Sequence, residues 1–276
     1  MTVRLVVIGG GRMGEALARG LLASGWALPG EVVVVEPSGP RRQELDAGLA
    51  ARFPSLRVVA AVEEVMAAGG AGGAVVAVKP ADAEVACRGI AALGFPRVLS
   101  IVAGVTVASL EGWLGGRGPT AVVRAMPNTP ALIGAGASAL AAGDGVTEED
   151  LAWGEGVLGA LGTVVRVAEA QLDAVTALSG SGPGYVFLLA EALVDAGVLV
   201  GLPRPLASAL TVQTLLGSAR LLAETDDSPV ALRAAVTSPG GTTAAGLRVL
   251  EAAGLRGAVL DAVAAAAERA RQLGAR

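Results

Sequence analysis

Short apolar runs alternate with amphipathic segments through the first half of the chain. Residues 4–8, 31–36, 57–59, 74–78, 97–101 and 120–124 are rich in Val, Ile and Leu and too brief for helices, which predicts buried parallel strands. Between them, residues 13–24 and 81–93 place apolar side chains at helical spacing. The repeating order of strand, helix and strand predicts a doubly wound parallel sheet. Thr147-Glu148-Glu149-Asp150 has the form of a capping box that opens another helix, with one more strand expected at 163–167. From Glu169 onward long helical periods take over, broken at 179–184, 201–205, 226–229 and 238–241 by Gly, Pro, Ser or Asp. The pattern changes between 167 and 173, so an α/β domain is expected over 1–168 and an all-helical domain over 169–276. Segments 185–200 and 206–222 are apolar around much of their circumference, more than one core-facing stripe needs. That excess predicts a homodimer, open to further assembly.

Composition narrows the setting. With 276 residues, 53% of them hydrophobic, the chain has ample material for a core, and disorder is excluded. Glu191 and Asp195 interrupt the most apolar stretch, and no run of about 18 uncharged apolar residues occurs, so no membrane span is expected. The N-terminal segment lacks the features of a signal peptide, which points to the cytoplasm. A net charge of -4 argues against nucleic acid as a partner. The chain has no His, a single Cys (Cys87), a single Tyr (Tyr185) and a single Lys (Lys79). No Ser-His-Asp site, Cys-His site or Cys/His metal site can be built within it, and no metal is expected.

Against that scarcity, Gly9-Gly10-Gly11-Arg12-Met13-Gly14 follows the first predicted strand and opens the first predicted helix. Gly9 permits a tight turn, Gly11 lets the backbone approach a pyrophosphate, and Gly14 lets helix pack on strand, with the helix N-terminus facing the anion. In a strand-helix-strand context this fingerprint predicts dinucleotide binding on a Rossmann-type sheet. The second strand ends in Glu36-Pro37-Ser38-Gly39-Pro40-Arg41-Arg42. An acidic strand end suits the ribose 2′-OH of NAD(H), whereas Ser38, Arg41 and Arg42 suit a 2′-phosphate. Both signals are present, and the number of donors favours NADP(H), with NAD(H) as the second cofactor. Val78-Lys79-Pro80 falls at a carboxyl strand edge, where ligands sit in open α/β sheets. The stiff loop Met126-Pro127-Asn128-Thr129-Pro130 shares that edge and reads equally as a structural turn or a site wall. In the helical half, Ser179-Gly180-Ser181-Gly182-Pro183-Gly184 and Thr237-Ser238-Pro239-Gly240-Gly241-Thr242-Thr243 each precede a helix. The second offers backbone N–H groups beside hydroxyls, a cradle for a small carboxylate.

The missing residues limit the chemistry. Reductases that use a Tyr with a Lys four residues later, a catalytic His, a Cys/His-bound zinc, or a Lys from beyond the nucleotide domain are all excluded, which makes carbonyl reduction an awkward assignment. A cyclic imine is different. Its nitrogen is largely protonated near neutral pH, so the acceptor carbon requires only orientation and a hydride.

These motifs, together with Ser100-Ile101-Val102-Ala103-Gly104-Val105 and Arg124-Ala125-Met126-Pro127-Asn128-Thr129-Pro130, resemble the pyrroline-5-carboxylate reductase family over nearly the whole chain. Segment 236–243 corresponds to that family's signature region. The chain departs from it in small ways: Arg12 stands where Asn is frequent, and Gly184 where Ala is frequent. The resemblance implies reduction of 1-pyrroline-5-carboxylate to proline with NAD(P)H, the last step of proline synthesis. It implies that Ser238, Gly240, Gly241 and the amides of Thr242 and Thr243 hold the substrate carboxylate, while the Thr243 hydroxyl bonds the ring nitrogen. Lys79, Val78, Pro80, Ala103, Asn128 and Thr129 would line the nicotinamide side, making Thr243 and Lys79 the catalytic candidates. It also implies paired helical domains with the active site built at the dimer interface. Reduction of another cyclic imine or ketimine carboxylate is the competing enzyme reading, and a non-catalytic NADP-binding regulator the competing one of another class.

Overall fold

The computed structural model describes residues 3–66, 71–115 and 120–274; Met1 and Thr2 of the N-terminal segment lie outside them. The chain runs β1 (Leu5–Ile8), α1 (Arg12–Ala23), β2 (Val32–Val35), α2 (Gly39–Leu45), β3 (Arg57–Val59), α3 (Glu63–Met66), β4 (Ala74–Val76), α4 (Ala83–Ala91), β5 (Arg97–Ser100) and α5 (Val107–Leu114). It continues through β6 (Ala121–Met126), β7 (Gly136–Ala142), α6 (Glu148–Gly159), β8 (Gly162–Arg166) and α7 (Leu172–Val175). The remaining helices are α8 (Gly182–Leu199), α9 (Arg204–Glu224), α10 (Pro229–Ala235), α11 (Thr242–Ala252) and α12 (Leu255–Gly274).

The strands form one sheet in the order β3-β2-β1-β4-β5-β6-β7-β8, and every neighbouring pair is parallel except β6 with β7. Side chains alternate across it. Val6 and Ile8 pack with Val33, Val35, Cys87 and Ile90 on one face, while Leu5 and Val7 pack with Leu17, Leu21, Val32 and Val34 on the other. Helices cover both faces, which is why these strands read as unbroken apolar runs. Cys87 belongs to this core, and burial pushes its thiol up to about 11, so it is a packing residue without nucleophilic character.

The strand order reverses between β1 and β4, and the crevice beyond that switch point is where such sheets take ligands. Register brings the carboxyl ends together, because Ile8 pairs with both Val35 and Val76. Gly9, Glu36 and Ala77 therefore leave the sheet side by side.

Two elements differ from the sequence expectation. β7 is composed of Gly, Ala, Ser and one Leu, without the β-branched residues that mark strands, and it forms through pairing with β6 and β8. The expected break at 179–184 is a π-helical turn, Thr176–Gly180, which joins α7 to α8 with Ser181 N donating to Thr176 O at 2.8 Å.

Packing groups the chain into two units: residues up to Ser181 with the chain from Ala266, and Gly182–Ala265. The second unit buries little of itself. No residue of α8 is buried, and Phe187 is 65% and Leu188 67% exposed. By length and composition alone, the helical stretches Glu169–Leu199 and Arg204–Glu224 could cross a membrane.

Candidate active site

The glycine loop is shaped by contacts that admit no side chain. Gly9 has φ +105°, donates to Val35 O at 2.9 Å, and a Cβ there would lie 2.7 Å from Ala77 O. A Cβ on Gly14 would overlap the Gly9 carbonyl, whereas over Gly11 the space is open. Gly11 caps α1 and no side chain bonds the helix start, so the first-turn amides remain available to an anion. Tightness at Gly9 and Gly14 with openness at Gly11 fits a dinucleotide pyrophosphate, which needs backbone approach at one point and close helix packing at another.

A cavity of about 530 Å3 extends from this loop. It brings together Gly9, Gly11, Glu36, Val78 and Lys79, and the Lys79 side chain is exposed. Lys79 occupies the last extended position before a 3-10 turn, Pro80–Asp82. The far wall is one face of α4 with the residue before it: Asp82, Val85, Ala86, Gly89 and Ile90. Sequence reasoning missed this wall, although the helical spacing of those residues was its signal.

At the β2 end, the Glu36 carboxylate accepts from Gly10 N at 3.0 Å and from Ser38 N at 2.9 Å. Ser38, Arg41 and Arg42 stand outside the cavity lining. Arg41 donates to Gly10 O and to Glu44, each at 2.8 Å, and pairs with Glu15 of α1. Burial by itself raises the Glu15 pKa, but the Arg41 and Arg19 guanidiniums outweigh it and hold that carboxyl below its usual range. Met13 packs against the core, whereas Arg12 is exposed at the helix start.

Further along the edge, Ala103 is exposed on the turn after β5, beside Gly104 at φ +75°. Thr129 is exposed, but the Asn128 side chain is engaged within the protein. Its Nδ2 donates to Ser179 O at 3.0 Å and its Oδ1 accepts from Ala137 N at 2.9 Å, so it clamps the π-turn to the start of β7.

In the second unit, Gly241 N donates to Ser238 O at 3.0 Å, closing a turn in which Gly240 takes φ +71°. Gly241 then caps α11 without any side-chain bond to the helix start. The Thr237 hydroxyl turns away, donating to Arg233 O at 2.6 Å. Ser238, Thr242 and Thr243 are exposed. Their hydroxyls stand beside the free first-turn amides of an 11-residue helix, an arrangement that suits a carboxylate.

Comparison with known proteins gives two family matches. Residues 169–273 match the family described as pyrroline-5-carboxylate reductase dimerisation, and residues 4–104 match NADP oxidoreductase, coenzyme F420-dependent. A pyrroline-5-carboxylate reductase of Synechocystis is 44% identical over 99% of both chains. Among solved structures, a pyrroline-5-carboxylate reductase from Coxiella burnetii has a TM-score of 0.88 and 36% identity, covering 99% of each chain. The Plasmodium falciparum pyrroline carboxylate reductase, with NADP bound, has a TM-score of 0.83 and 31% identity over 99% of this chain and 98% of that one.

Proposed function

The chain belongs to the pyrroline-5-carboxylate reductase family, and from that membership we infer that it reduces 1-pyrroline-5-carboxylate to proline with NADP(H) as preferred cofactor and NAD(H) as the second. The observation that carries this reading is similarity along the whole length of the chain to proteins of that one activity. It is supported by residues that supply what the reaction needs and little else.

A bound reduced dinucleotide supplies the hydride. The loop 9–14 would hold its pyrophosphate on the amides of α1, and the α4 wall offers an apolar flank. Val78, Lys79 and Pro80, with Ala103 and Thr129, stand on the carboxyl edge of the sheet on the nicotinamide side. Asn128 acts there by holding the π-turn and β7 in register. The substrate carboxylate belongs to Ser238, Gly240 and Gly241 and to the amides of Thr242 and Thr243. The Thr243 hydroxyl accepts from the protonated ring nitrogen and fixes which face of the imine meets the donor. Because that nitrogen already carries its proton, a chain without His loses nothing at this step.

We assign residues 1–168 to dinucleotide binding and 169–276 to substrate binding and pairing. The apolar faces of α8 and α9 fall within the segment matched to the dimerisation family, so a second copy of the chain, and not a bilayer, is their covering. The active site is completed at that interface, and consumption of a reduced dinucleotide suits the cytoplasm.

Purified protein given pyrroline-5-carboxylate and each reduced cofactor tests the activity by loss of nicotinamide absorbance and by proline formed. Turnover with at least one cofactor is expected. No proline with either would overturn the assignment, and turnover of a six-membered cyclic imine alone would favour the competing ketimine reading.

A further inference from the structure

The carboxyl edge of the sheet carries two loops assigned above to the nicotinamide side. The first runs from Ser100 to Val107 and presents the exposed Ala103, and the second runs from Met126 through Asn128 and Thr129. They leave the sheet side by side, because Ser100 of β5 is the register partner of Arg124 of β6. At its entry the first loop is tied to its own strand: Ser100 is fully buried, and its hydroxyl accepts from Val102 N at 3.3 Å. Its exit is tied elsewhere. Val107 N, the first amide of α5, donates to Glu169 Oε1 at 2.7 Å, and the Arg124 guanidinium, two residues before Met126, donates to the same oxygen at 2.8 Å.

Glu169 belongs to neither loop. It lies in a 3-10 turn, Glu169–Gln171, just past β8, and reaches α5 and β6 across 62 and 45 positions of the chain. Its chemistry suits the place. The carboxylate faces the amide end of α5, where Ser109 N is already taken by Thr106 Oγ1 at 3.1 Å, and Arg124 supplies the countercharge for an acid that is about one-third exposed. Two donors from two elements converge on one atom, so that atom fixes where α5 starts relative to β6. The spacing of the two loops follows from it.

We propose that Glu169 is a positioning residue for hydride transfer. By accepting from Val107 N and Arg124 on one oxygen it holds the 101–106 and 126–130 loops at a fixed separation about the nicotinamide, without itself touching cofactor or substrate. This rests on the assignment of those loops to the nicotinamide side.

The full-length protein tests it as the parent, Glu169→Ala and Glu169→Gln. Glutamine keeps an oxygen that can accept both bonds, whereas alanine removes it. Amide hydrogen exchange of the protein without cofactor should run about tenfold faster in both loops of Glu169→Ala, with the glycine loop 9–14 unchanged and Glu169→Gln close to the parent. Glu169→Ala should bind adenosine 2′,5′-bisphosphate as tightly as the parent in calorimetry. Single-turnover hydride transfer from NADPH should slow about tenfold in Glu169→Ala, while the steady-state KM for pyrroline-5-carboxylate stays within about twofold and Glu169→Gln keeps most of the rate.

The proposal fails if a folded Glu169→Ala transfers hydride at the parent's rate, if only one loop loosens, or if affinity for the adenosine fragment falls along with the rate. It fails equally if Glu169→Gln is as slow as Glu169→Ala. Should Glu169→Ala not fold, Glu169→Asp, one methylene short of the shared position, is read by the same criteria. A parent that forms no proline would sink the reductase assignment alone. Exchange in the two loops, with NADPH affinity set against fragment affinity, would then decide the role of Glu169.

Discussion

Thr243 is the second residue of α11, exposed, with its hydroxyl beside the free amides of the helix start. Replacing it with Ala removes a hydrogen bond to a charged ring nitrogen, so kcat/KM for the imine should fall by about 1–3 kcal/mol in transition-state free energy. Folding should be spared or slightly improved, because Ala is the better helix former and, among the described residues, none bonds that hydroxyl. Thr243→Ser should keep most of the activity. Steady-state kinetics beside thermal melts check this, and a folded Thr243→Ala as active as the parent would remove Thr243 from the site. At this scale the sequence was legible where function depends on backbone shape, as at Gly9 and Gly14. It was not legible where a side chain has two candidate duties. From its strand-edge position Asn128 reads equally as part of a structural turn or of a site wall, and only its contacts show the amide spent on Ser179 and Ala137, while Arg41 reads as a phosphate donor until Glu15, 26 positions away, is seen to hold it.

Between elements, the Arg124 guanidinium of β6 lies 2.8 Å from Glu169 Oε1, and the same oxygen accepts from Val107 N at the start of α5 at 2.7 Å. Three elements thus meet on one carboxylate, directly upstream of the 126–130 loop. Arg124 is nearly buried while Glu169 keeps about a third of its side chain exposed, so water repays part of a broken pair. Arg124→Ala should therefore destabilise the chain by about 2 kcal/mol, below the range for fully buried pairs. Urea denaturation measures it, and a change below about 0.5 kcal/mol would show that the pair is ornamental. Elements were legible from sequence where residue type and period agree, as in the Val-rich runs that became β1, β2 and β4. β7 escaped because Ala and Ser carry no strand signal, and its place is decided by the edges of β6 and β8 that require a partner. The helix-to-helix continuity at 176–182 escaped because Gly and Ser punctuate loops and π-turns alike.

For the whole molecule, the unit Gly182–Ala265 carries its apolar residues outward: Leu199 is 86% exposed and Leu260 70%. At about 25 cal/mol per Å2, covering some 2,000 Å2 of such surface is worth tens of kcal/mol before the costs of association, enough for pairing at nanomolar concentration. Light scattering should give at least a dimer, and the melting temperature should climb with protein concentration. A fully active monomer on dilution would refute both the pairing and the shared site. The outward face of α8 and α9 also has a consequence for how the protein is made. A chain that has just left the ribosome presents that face before any twin is near, so assembly is a race between finding another copy and finding some other exposed apolar surface. The rate of the first grows with the number of copies being synthesised together and the second does not, so abundance itself becomes a determinant of correct folding. Slow, sparse expression should lose more chains to chaperones and aggregates than synthesis from clustered messages.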